Sequence, residues 1–149
     1  MKMSISNNKE IAIKLDKLAT ATVSSALIPT MTKNGILVGS YIVKPVDGFF
    51  SVNKRNEEYY RTYSKSAAMI IAGLMSKNYG SSHIFLVIDA DRVANAMRND
   101  IEVYKYHHSI ASKNGDDCKK YIMSARFETA NERYQEAKRI LQQSYSKLF

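Results

Sequence analysis

The sequence has one cysteine, two prolines, six glycines and no tryptophan among 149 residues. A single cysteine excludes an internal disulfide framework and a multi-cysteine zinc site, and it fits a reducing, cytoplasmic setting. Few prolines and glycines leave little room for a flexible linker, so residues 1–149 are expected to form a single domain. No apolar run approaches the roughly 18 residues that a membrane span needs, and the stretch MKMSISNNKEIAIKL has no signal-peptide apolar core. No membrane partner is therefore expected. What is present, 45% hydrophobic and 24% charged residues, is the balance of a folded globular chain.

The charge is one-sided. Lys and Arg number 22 against 14 acids, a net +8, which invites a nucleic-acid reading. The excess is spread, however: +3 over residues 1–33, +3 over 34–78, zero over 79–114 and +2 over 115–149. A diffuse excess without a Lys/Arg block is a weak electrostatic footprint.

The patterning predicts an α+β fold. Residues 7–27 read as an N-terminal helix, with Asn7 and Glu10 as a loose capping box and Ile11, Leu15, Leu18 and Thr22 at helical spacing. Pro29 and Asn34-Gly35 end it. Residues 36–78 then read as a β-β-β-α unit. Strand-like runs at Ile36–Val43, Phe49–Val52 and Tyr59–Tyr63 are separated by turn residues, which predicts a three-stranded antiparallel meander. Ser64 is placed to cap the helix that follows, with Ala68, Ile71, Ala72 and Met75 on one face. The segment Ile84–Ile88 reads either as a strand or as the buried start of a helix, the latter favoured with Asp89 as its N-cap.

Residues 90–148 carry the strongest pattern. Ala90, Ala94, Met97, Ile101, Tyr104, His108 and Ala111 alternate spacings of four and three, as do Met123, Phe127, Ala130, Tyr134, Ala137, Leu141, Ser144 and Leu148. Residues 113–117, Lys-Asn-Gly-Asp-Asp, supply a helix stop followed by a helix cap. Two such helices fold back as a long antiparallel, coiled-coil-like hairpin. Facing residues in an antiparallel pair have a constant number sum, and His108/Met123, Tyr104/Phe127, Ile101/Ala130, Met97/Tyr134, Ala94/Ala137 and Ala90/Leu141 all give 231. Half of that lies between Gly115 and Asp116, inside the turn that composition selects independently.

No catalytic constellation stands out. Asp89 and Asp91 after an apolar run could hold a magnesium ion, but an N-cap and a first-turn acid are the favoured explanation, and no glycine-rich phosphate loop is nearby. His107 and His108 would point about 100° apart on a helix and would not share an ion; His83 is alone. His108 falls on the predicted seam, where a packed imidazole is expected. Cys118 would sit at a helix start beside Lys119 and Lys120, without a base in reach. No metal, cofactor or enzymatic activity is expected.

Ten tyrosines stand out instead. In the strand at 59–63, Tyr60 and Thr62 point one way and Tyr59, Arg61 and Tyr63 the other, so one set is core and the other a surface. Lys44, Lys54, Arg55 and Arg61 are the candidate contacts to DNA or RNA on that surface. The order Tyr41–Val43, Phe49–Val52, Tyr59–Thr62 and then Ser66-Ala67-Ala68 opening a helix resembles the three-stranded-sheet-plus-helix domains of plant AP2-type and integrase arm-type DNA binders. The resemblance implies a sheet face laid in the major groove through arginine and tryptophan. This chain has only Arg61 and Arg55 there and no tryptophan.

The hairpin points elsewhere. Each helix buries one stripe against the other, and its remaining faces need another element or another subunit. Tyr106, Ile110, Ile122 and Ile140 lie off the seam and are the candidate subunit contacts. The favoured expectation is a non-enzymatic, intracellular oligomerisation or assembly component, a homo-oligomer or the partner of another protein, with a phage or mobile-element accessory role as one setting. The alternative is a basic nucleic-acid-binding protein.

Overall fold

A computed structural model describes residues 26–149. Its elements run β1 (Thr30–Thr32), β2 (Gly35–Val38), β3 (Tyr41–Val46), β4 (Phe49–Lys54), β5 (Glu57–Thr62), α1 (Lys65–Ser76), α2 (Ser81–Lys113) and α3 (Asp117–Leu148). The class is α+β, and the last two helices form the expected hairpin. Of the predicted N-terminal helix, residues 7–25 lie outside the described residues, and Ala26 and Leu27 are not helical.

The sheet is larger than the pattern suggested. It is an antiparallel meander of five strands in the order β1-β2-β3-β4-β5, not three. The run Ile36–Val43, read as one strand, is a hairpin that folds at Gly39-Ser40. Gly39 has φ +59, a left-handed conformation that glycine adopts without a Cβ penalty. The mark of the fold is a broken alternation: Ile36 and Val38 are buried, and then Tyr41 and Val43. A three-residue step in place of two re-aims the strand after the turn. The turn is also tied to α1, because the Ser76 hydroxyl donates to Val38 O at 2.9 Å and accepts from Ser40 N at 3.2 Å.

α1 is the middle layer. Ser64 caps it by accepting from Ala67 N, as its sequence position implied. Every residue from Ala67 to Leu74 is buried, a pattern that a helix covered on one face would not show. Ala68, Met69 and Ala72 pack with Val38, Tyr41, Val43 and Val52 of the sheet. Ala67, Ile70, Ile71 and Leu74 pack with Leu86, Val87, Ala90, Ile140 and Leu148 of the hairpin. Small residues on both faces let the layers approach the helix axis closely. At Gly73 an added Cβ would press on Leu148 Cδ1 at 3.1 Å and Leu27 Cδ1 at 3.2 Å.

The segment Ile84–Ile88 is helical. α2 starts at Ser81 with Gly80 as its N-cap, so Asp89 is an interior residue and not the cap. The apolar run is explained by cover on several sides, since Leu86 and Val87 are fully buried against α1. The turn falls where composition placed it: Gly115 has φ +69, and Asp116 caps α3 by accepting from Lys119 N at 3.0 Å. Buried positions on the facing helices include Ala90, Ala94, Ile101 and Ala111, and Met123, Ala130, Ala137, Leu141, Ser144 and Leu148. All belong to the predicted seam. Lys105 Nζ lies 5.7 Å from the centre of the Phe127 ring, in keeping with the pairing of Tyr104 and Phe127.

Candidate functional site

The outer face of the sheet is set by register. Lys44, Ser51 and Arg61 stand in one row across β3, β4 and β5, on the side away from α1. Their charges do not add up to an open basic patch. Glu58 receives two hydrogen bonds from the Arg61 guanidinium, at 3.1 and 3.0 Å, and a third from the Ser51 hydroxyl at 2.6 Å. The Arg61 hydrogen bond, then that from Ser51, holds the Glu58 carboxyl below the usual carboxylate range. Arg61 also lies over the Phe49 ring at 5.4 Å. Lys54 is turned over the Tyr41 ring at 5.2 Å, and Arg55 occupies the β4–β5 turn with φ +53. Lys54 and Arg55 stand three residues or more along the strand from the Lys44 row, about 10 Å. The four candidates therefore form two separated pairs, and the arginine in the row has its charge matched.

Exposure along β5 follows the expected alternation, but the faces do not: a register shift between Val52 and Asn53 puts Glu58 on the Arg61 side, and the Tyr59 ring lies edge-on against Tyr41 of the core. Tyr60 is half-buried and Thr62 buried, while Tyr59, Arg61 and Tyr63 are exposed. What the sequence did not reveal is the partner of Tyr60. Its hydroxyl donates to Asp91 Oδ2 of α2 at 2.6 Å, and Asn95 Nδ2 donates to Asp91 Oδ1 at 3.3 Å. Burial first, and then this bond to a carboxylate, raise the Tyr60 pKa far above that of an ordinary tyrosine. Asp91 is 2% exposed. It serves as a structural acceptor, and on a helix it points about 200° away from Asp89, so the two do not converge on an ion. Among the described residues no group of three His, Cys, Asp or Glu side chains is arranged to hold a metal. His83 packs edge-on against Tyr79, His107 against Tyr106, and Cys118 is exposed at the start of α3.

The hairpin divides into two halves with different surroundings. Up to Ala94 on α2 and from Ala137 on α3, its buried residues join the core around α1. Residues 97–134 form an arm that leaves that core at Tyr134, the last of its residues to pack against it, with helices of about 25 Å. On this arm Tyr106 is 63% exposed and Ile122 42%, with Val103 and Tyr121 exposed beside them; Ile110 is half-buried. Ile140 does not belong with them. It is fully buried against α1, so this candidate subunit contact is a core residue. The arm carries seven bases and six acids, a net +1 in a chain of +8.

Where the arm leaves the body there is a cleft of about 560 Å³ between the start of α1, α2 and α3. Ile70, Ala94 and Leu141 give it an apolar floor, and Arg98 and Lys138 stand in its lining. Sequence reasoning passed over both cations, because neither belongs to a motif and the fold alone brings them together. No helix among the described residues is long and apolar enough to cross a membrane. Comparison with protein-family models, curated proteins and solved structures finds no match, so the likeness to AP2-type and integrase arm-type domains rests on the order of the elements alone.

Proposed function

We propose that the protein is an assembly component that associates with copies of itself through the arm, residues 97–134. The observation that carries this reading is the pairing of exposed apolar side chains, Val103, Tyr106, Tyr121 and Ile122, with near-neutral charge on one projecting element. A two-helix arm buries one stripe per helix, and packing a second pair against it completes a four-helix bundle. Like-charge repulsion opposes self-association little on the arm, whose net charge is +1 against +2 for the sheet residues 30–62. The basic sheet face favours the nucleic-acid alternative less, because Glu58 already matches Arg61.

Light scattering tests the proposal. The wild type at micromolar concentration is expected at twice or more the 16.9 kDa chain mass, and the exposed-site double variant Tyr106→Lys/Ile122→Lys at the chain mass. A monomeric wild type, at low and at high salt, overturns it.

A further inference from the structure

We infer that the cleft at the base of the arm binds a small organic anion with an apolar body. A cleft of about 560 Å³ falls in the range of small-molecule sites, which are mostly apolar with a few convergent polar groups. This one has that make-up. Ile70, Ala94 and Leu141 form a floor that an alkyl chain or ring can cover, and the Tyr145 ring stands in the wall. The charged groups of the lining divide by sign and by availability. Asp91 has a hydrogen bond on each oxygen, from Tyr60 and Asn95, and is almost wholly withdrawn from solvent. Arg98 and Lys138 are exposed, and among the described residues neither has a carboxylate within salt-bridge distance; Lys138 Nζ lies over the Tyr134 ring at 5.6 Å, a contact that leaves its charge uncompensated.

Lysine and arginine without acid partners, on two helices that converge over an apolar floor, suit a carboxylate or phosphate head whose tail lies on that floor. Arg98 stands seven residues from Asp91, two turns or about 10 Å along α2, which keeps the head clear of the buried carboxylate. A fully charged inorganic ion would leave the floor uncovered, and a neutral amphiphile would leave the two cations unmatched. The ligand class is therefore amphipathic and anionic. The inference is independent of self-association.

Titration calorimetry with decanoate below its micelle concentration tests it, with decanol and inorganic phosphate as separate arms. Decanoate is expected to bind saturably at one site, and the other two at least about tenfold more weakly. Arg98→Gln/Lys138→Gln changes only exposed groups without ion-pair partners among the described residues and is expected to weaken decanoate about tenfold or more. Ser66→Phe, which fills the mouth from α1, is expected to abolish binding, and Tyr106→Lys/Ile122→Lys to leave it unchanged. No saturable binding of decanoate, decanol or phosphate binding as tightly, or decanoate affinity untouched by both cleft variants would overturn the inference.

Discussion

The Tyr60 hydroxyl donates a 2.6 Å hydrogen bond to the Asp91 carboxylate, joining β5 to α2. The sheet and the hairpin otherwise meet mainly through α1. A direct tie between the outer layers therefore fixes how the hairpin, and with it the arm, is set against the sheet. Tyr60→Phe removes the short donor from a buried carboxylate and is expected to destabilise the fold by about 1–3 kcal/mol in urea denaturation. Asp91→Ala is expected to cost more than Asp91→Asn, which keeps an acceptor for Tyr60.

The same bond predicts a pH dependence with a definite sign. The folded-state pKa of Tyr60 is raised, so the folded chain keeps this proton when the unfolded chain gives it up. The stability it contributes is complete below the ordinary tyrosine value of about 10 and falls as pH rises beyond it. Urea midpoints at pH 8 and at about pH 10.5 are expected to fall further for the wild type than for Tyr60→Phe. Equal losses in the two proteins would contradict the assignment.

Gly39→Ala tests the fold of the β2–β3 hairpin. Its Cβ would run into the Ser76 side chain, and φ +59 disfavours any L side chain. The expected cost is about 1–3 kcal/mol, read as a lowered melting temperature. Ser76→Ala, which removes the hydroxyl that holds both Val38 O and Ser40 N, is expected to cost about 1–2 kcal/mol.

Two isoleucines that look alike in the sequence are expected to behave differently. Ile140→Ala leaves a cavity against α1 and should cost about 2–5 kcal/mol of folding stability. Ile122→Ala removes an exposed side chain and should change monomer stability by less than about 0.5 kcal/mol. Its effect is expected in the association constant instead.

Residues 90–148 were legible because a seam shared by two helices repeats the same physical demand layer after layer. Ile101, Ala130, Ala137 and Leu141 show it directly, and the turn carries its own backbone chemistry at Gly115 and Asp116. The sheet was only partly legible. The fold at Gly39 depends on Ser76, far along the chain, so one run hid two strands, and β1, three residues exposed throughout, has no alternation of burial to read. Ile140 was misplaced because an off-seam position says that a residue faces away from the partner helix, not what it faces. Here it faces α1. Glu58 and Arg61 are only three residues apart, but strict alternation puts such a pair on opposite faces of a strand, and the register shift at Val52/Asn53 is what lets them meet; Arg98 and Lys138 line one cleft through tertiary packing alone.

Hydrogen exchange at two protein concentrations tests most directly whether the arm is where copies meet. Amide protection across residues 97–134 is expected to rise with concentration, most around Tyr106 and Ile122, while the sheet and α1 stay unchanged. Protection that does not depend on concentration in the arm, or that rises on the sheet face around Lys44 and Arg61 instead, would contradict the account.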